Sequence, residues 1–257
     1  MPNTLDRLLI VCEGETEKEY LSALADQLAV MPRVSIRKTA ACAPMSLLEE
    51  AYKEFMWSNA TDKLFPFTEV WCVFDRDHHP SYDTTFEVAK TLGIPVHLCW
   101  TNPCIEFWFW LHYCGDKNHL KFDEFAEIGR TQERVMVSTD VFEDRTVRRL
   151  RRTIKPETML ALLKEKCAGY NKAKCPPGII NRTLAACDNL KTVAQSEDPH
   201  ALGSAMPTLL LRLSNLAEAL HGKKSAKVET PVVPVVKETA LDPVPEVKTV
   251  LVAAAEK

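Results

Sequence analysis

Two short runs of consecutive apolar residues, each closed by carboxylates, limit what this chain can fold into. The first is LLIVC at 8–12, followed at once by Glu13-Gly14-Glu15. The second is VWCVF at 70–74, within the segment EVWCVF at 69–74 and followed by Asp75-Arg76-Asp77. Runs this short, with no polar alternation, fit strands covered on both faces, the kind found in parallel sheets. Helical spacing follows each run: Tyr20, Leu21, Leu24 and Leu28 after the first, and Phe86, Val88, Ala89 and Leu92 after the second. Gly14 falls where strand gives way to helix and a tight turn is needed. Thr16 is read as the N-cap of the first helix, with Glu17 and Glu19 in its opening turn.

The alternation continues. VSIRKT at 34–39 reads as a strand nearer an edge, 45–57 as a helix, and IPVHLCW at 94–100 as a further strand. Residues 104–114 are too apolar all round for a surface helix and read as a core helix. This order predicts a doubly wound α/β fold, a mostly parallel sheet flanked by helices. Beyond 115 the clearest helices are 156–168 and 205–221, with Gly222 as a C′ signal. From Lys223 onward there are four prolines and no aromatics, so the segment cannot bury enough surface to offset its ordering entropy. The expected organisation is an α/β core over 1–115, a helical extension over 116–222 completing the same domain, and a disordered or polyproline-like tail over 223–257. Val250–Ala255 could form a short docking element within that tail.

Composition narrows the function classes. Net charge is −3, so any nucleic-acid contact must come from a local patch. Nine cysteines without a C-x-x-C pair argue against a zinc ribbon and for buried thiols in a reducing compartment. The first apolar run is too short for a signal sequence, and no stretch approaches the roughly 20 apolar residues of a membrane helix. A cytoplasmic protein without membrane attachment is expected.

In a parallel sheet, ligands bind beyond the carboxyl ends of the strands. Glu13, Asp75 and Asp77 all fall there. If the chain stays extended, Asp75 and Asp77 point to one side, and their charges repel unless a cation lies between them. Mg²⁺, or Mn²⁺, suits such a cluster and phosphoryl chemistry. D-x-D could equally cap the following turn and helix, or hold a sugar-nucleotide through Mn²⁺. Asn102 ends a third strand, where its amide could orient water or substrate phosphate, or simply form a turn before Pro103. Glu106, on an apolar segment, needs a partner or an opening to the site. His78 and His79 are read as exposed turn residues with a secondary reading as phosphate donors or proton shuttles, and His112 as a core histidine. DRTVRRLRRTIK at 144–155 is the strongest basic cluster. If it is helical, Arg145, Arg148, Arg149 and Arg152 share one face and could hold a phosphate backbone; the alternative is a solvated face paired with acids.

LLIVCEGETE at 8–17 with VWCVFDRD at 70–77 resembles a Toprim domain, the metal-binding module of topoisomerases, primases and related nucleases. TNPCIEFWFWLH at 101–112 resembles the corresponding block of the RloB-like family. The three blocks cover about 30 residues, occur in the family's order and organise roughly the first 180; the tail lies outside. The resemblance implies a Toprim-like sheet and a role in prokaryotic phage defence, often beside an ATPase or restriction system. By position, Glu13 matches the acid/base or metal-ligating glutamate, and Asp75 and Asp77 match the metal-holding pair. His79 stands near the place of a third acidic residue, which implies one tightly held metal instead of two. Lys172 falls where the family often carries a lysine-bearing loop, so it is a candidate to meet substrate phosphate, with a surface lysine as the alternative. The expected function is a Toprim-class, Mg²⁺- or Mn²⁺-dependent nuclease acting on RNA or DNA. The alternatives are a non-catalytic metal- or nucleotide-binding partner of a defence ATPase, and an unrelated phosphoryl-transfer or sugar-nucleotide enzyme.

Overall fold

Burial makes the strands. In the computed structural model, which describes residues 6–77, 79–113, 130–138, 144–152, 160–161, 163–164, 179–193 and 203–221, both carboxylate-tipped runs are strands. The order is β1 (Leu8–Cys12), α1 (Glu15–Gln27), β2 (Val34–Lys38), α2 (Pro44–Thr61), β3 (Glu69–Asp75), α3 (Tyr82–Thr91), β4 (Val96–Asn102), α4 (Ile105–Tyr113), β5 (Arg130–Ser138), β6 (Asp144–Arg152), α5 (Ile179–Val193), β7 (Gly203–Ser204) and α6 (Met206–His221). All five residues of β1 are buried. The main sheet runs β2-β1-β3-β4-β7. Its first four strands are parallel, and β7 closes the β4 edge antiparallel through Thr101 opposite Ser204 and Asn102 opposite Gly203.

Successive residues of a strand address opposite faces, and the two faces have separate cores. Leu8, Ile10 and Cys12 pack with Tyr20, Leu21 and Leu24 of α1, the aromatics of α4, and α5 and α6. Leu9 and Val11 pack with Val70, Cys72 and Phe74 of β3, Leu47, Leu48 and Phe55 of α2, and Tyr82 of α3. The fold is therefore α/β, with a mostly parallel sheet flanked by helices on both faces. β2 lies at the sheet edge, as its mixed pattern predicts. Every residue from Ile105 to His112 is buried, so α4 is the core helix its composition requires.

This wiring places a switch point. The chain leaves β1 for β2 through α1 on one face, and leaves β3 for β4 through α3 on the other. β1 and β3 are neighbours, so their carboxyl ends flank the crevice where open α/β sheets bind ligands. Glu13 and Asp75 stand there.

Three local expectations change. Helix α1 starts at Glu15, with Gly14 at the N-cap and no side-chain capping bond, so Thr16 lies inside the helix. Gly14 has an extended backbone, φ −116°, and its missing Cβ leaves room for the Glu17 carboxylate, which would have to shift if a side chain stood there. The basic segment is not helical. β6 pairs with β5 in a separate antiparallel ribbon, in which the β-branched Thr146 and Val147 stand opposite Met136 and Val135. The extension over 116–222 is thus only partly helical. Of 156–168, positions 160–161 and 163–164 are described and helical; Gly222 and the tail lie outside the described residues. Cys12, Cys72, Cys99, Cys104 and Cys187 are buried free thiols and Cys42 is an exposed one. Among the described residues, no helix is long and apolar enough to cross a membrane.

Candidate metal site

Glu13 follows β1 directly. Its amide donates to the Val73 carbonyl at 3.0 Å, which extends the β1–β3 ladder by one bond and fixes where the side chain begins. Its carboxylate Oε2 accepts the Asp75 amide at 3.1 Å, so one residue from β1 is held at the end of β3. Burial is the main influence on its acidity: desolvation raises its pKa to about 7, against the lowering effect of the Asp75 amide, with Asp77 adding repulsion.

Asp75 is the last residue of β3. Its carboxylate accepts the Ile105 amide, at the first residue of α4. It thus caps a helix, although a different helix from the one that follows it in sequence, and the positive end of α4 favours its charge. Burial nevertheless raises its pKa well above the ordinary range, with Glu17, Asp77 and Glu13 adding repulsion. Glu17, 5 % exposed, approaches this group from α1 through the room that Gly14 leaves. The sequence placed Glu17 only as a first-turn helix charge; its signal was the glycine three positions earlier.

The chain does not stay extended through Asp77. That residue has φ +40°, the left-handed region that aspartate tolerates better than most side chains. Its amide donates to the Pro103 carbonyl at 3.2 Å, and the Arg76 amide to the Thr101 carbonyl at 2.8 Å. Asp75 and Asp77 are therefore not a same-side pair of one strand. Asp77 instead joins Glu13 and His79: one ligand atom from each lies within 4.8 Å of the others. His79 Nε2 is 3.6 Å from Glu13 Oε1, with side chains 24 % and 18 % exposed respectively. His79, expected as an exposed turn residue, is part of this grouping, and Asp75 is not.

Two carboxylates and an imidazole converging from two chain segments form a donor set that fits a divalent cation. Mn²⁺ accepts an imidazole readily, whereas Mg²⁺ prefers oxygen.

Asn102 ends β4 and Glu106 lies in the first turn of α4, on the segment whose Thr101 and Pro103 carbonyls accept the Arg76 and Asp77 amides. Asn102 is buried at 6 % exposure, and the Asn102–Pro103 peptide is cis. Glu106, 4 % exposed, accepts the Cys104 thiol, which supplies the partner a buried carboxylate needs. Burial, Asp75 and Glu106 push the Cys104 thiol up, so it stays protonated and is a poor nucleophile. Arg76 lies over the Tyr82 ring at 5.5 Å.

His112 is the core histidine expected. Its Nδ1 donates to the Trp108 carbonyl at 2.8 Å, which leaves Nε2 as an acceptor 3.1 Å from the Tyr20 hydroxyl. That hydroxyl also accepts the Trp108 indole N–H at 3.0 Å and lies 3.0 Å from the Thr183 hydroxyl. Burial lowers the His112 pKa to about 4. Arg148, Arg149 and Arg152 lie on β6; their side chains, with Lys172 and His78, lie outside the described residues.

The family model described as RloB-like protein matches residues 8–209, which spans every element from β1 into α6. No curated protein and no solved structure matches the chain.

Proposed function

The chain belongs to the RloB-like family, and on that footing we propose that it is a Toprim-class, metal-dependent nuclease hydrolysing phosphodiester bonds in a prokaryotic phage-defence or restriction-linked system. The observation that carries this reading is the convergence of Glu13, Asp77 and His79 at the switch point of a parallel sheet, with Asp75 bonded to the same segment. Glu13, Asp77 and His79 would hold Mg²⁺ or Mn²⁺. Such a cation supplies Lewis-acid polarisation of a phosphoryl oxygen and eases deprotonation of water.

The chain's own groups have separable roles. Glu13, with a pKa near 7, is poised to accept a proton near neutral pH. Asp75 positions Glu13 through its amide and the first turn of α4 through its carboxylate. Asn102, buried at the third strand end, is a candidate to orient substrate phosphate, and Arg148 and Arg152 to hold the nucleic acid.

The test incubates purified full-length protein with tRNA, single-stranded and duplex substrates and Mg²⁺ or Mn²⁺, beside Asp75→Asn and Asp77→Asn. Wild type is expected to cleave. Asp77→Asn should lose at least a hundredfold in rate, and Asp75→Asn, which keeps an acceptor for Ile105, should lose activity while remaining folded. Cleavage that survives either change, or persists in excess chelator, rejects the proposal. Metal binding with no cleavage of any substrate would favour the accessory role beside an ATPase.

A further inference from the structure

The β5–β6 ribbon concentrates a charge that the rest of the chain lacks. Its strands hold seven arginines against two acids, Glu133 and Asp144, a net of +5. The whole chain sums to −3, so everything outside the ribbon carries −8. Register then sorts the arginines. Arg130 is opposite Arg152 and Arg134 is opposite Arg148, with Gln132 opposite Leu150 between them. Residues two apart share a face, so these four arginines lie on one face. On the other, Glu133 is opposite Arg149 and Val135 opposite Val147, with Thr131 opposite Arg151 and Val137 opposite Arg145.

Like charges directly opposite destabilise an antiparallel pair. The first face has two such pairs with no acid between them, its one acid, Asp144, lying beyond them opposite Ser138; a polyanion would relieve both. The pairs are four residues apart along each strand, about 14 Å at the usual strand rise, which spans several phosphates of a nucleic acid. Neither strand contains Phe, Tyr or Trp, so the ribbon offers no platform on which unpaired bases could stack. Duplex nucleic acid instead presents dense backbone charge, and the major groove of B-DNA, about 12 Å wide, admits a two-stranded ribbon.

We propose that the Arg130, Arg134, Arg148 and Arg152 face of the ribbon grips the phosphate backbone of a nucleic-acid duplex without reading its bases. This deepens the nuclease reading and rests on it for its purpose, but its binding test does not require cleavage. It replaces the helical grouping with a strand face, sets Arg149 aside as the neighbour of Glu133, and adds Arg130 and Arg134.

The experiment measures anisotropy of labelled duplex DNA, duplex RNA and single-stranded DNA of equal length with the full chain in excess chelator, over a salt series. Arg134→Gln/Arg148→Gln should weaken duplex binding at least tenfold and reduce the slope of log K against log salt by roughly two, near 0.9 for each phosphate left without its arginine. The charge-matched Arg145→Gln/Arg151→Gln should lose less than threefold, and Arg134→Lys/Arg148→Lys should recover most of the affinity. Circular dichroism checks that each variant folds. Equal losses from the two faces, no loss from the first, or single strands bound more tightly than both duplexes overturns the proposal. Binding is read in chelator, where the nuclease reading predicts no cleavage, so failure of that reading and failure of this one are separable.

Discussion

Glu13 turns the site into a pH-dependent element. Its carboxyl has an ordinary pKa of 4.5 and is raised to about 7 in the folded chain by burial. Between those values the folded state keeps a proton that the unfolded state has released, so stability falls as pH rises through this window and the effect levels off above about 7. In metal-free protein, Glu13→Gln should remove that part of the decline. Thermal denaturation from pH 5 to 8 in chelator, comparing the two proteins, checks it; parallel curves would remove Glu13 as the source. The same carboxylate shows what a sequence conceals. Its position at the end of an apolar strand was legible from LLIVCE alone. Its bond to the Asp75 amide, and the approach of Glu17 beneath Gly14, arise only when distant segments meet.

At the scale of elements, β1, β3 and β4 and their helices followed from period and composition, because unbroken apolar runs have few other solutions. The ribbon did not, since arginines at successive positions satisfy a helical template as well as a strand, and pairing with β5 was invisible in β6 taken alone. Nor was the interlock between helices. Tyr20 of α1 meets Trp108 and His112 of α4 and Thr183 of α5 through hydroxyl, indole, imidazole and hydroxyl groups. Tyr20→Phe removes the shared hydroxyl and strands the Trp108 indole N–H, while His112 Nε2 and the Thr183 hydroxyl keep each other at 3.4 Å; the change costs about 1–3 kcal/mol by the usual penalty for a buried unmet group. Urea denaturation at neutral pH measures it, and an unchanged midpoint would show that the network contributes no net stability.

For the whole molecule, the site draws on segments that only the fold brings together. A cation at Glu13, Asp77 and His79 would tie the end of β1 to the turn beyond β3, and binding to the folded state alone stabilises the entire chain. At a hundredfold excess over its dissociation constant the gain is about 2.7 kcal/mol. A melting series in Mn²⁺ should therefore rise with concentration in wild type and stay flat in Asp77→Asn. The acidic cluster was legible as a neighbourhood, but its membership was not: whether Asp75 or His79 stands nearest depends on the backbone turn at Asp77, which D-x-D spacing does not encode.

The antiparallel closure of the sheet by β7 has a consequence for how the protein is made. Glu13, Asp75 and Asp77 leave the ribosome early, yet the open edge of β4 waits for Gly203 and Ser204, about a hundred residues behind it. The face of the sheet that carries Ile10 and Val73 likewise waits for Leu209 and Leu213 of α6. Until then, a growing chain bears an unpaired strand beside its acidic residues and an uncovered apolar surface, the features that expose nascent chains to wrong partners. The carboxylates of the site are thus made long before the strand that closes the sheet beside them.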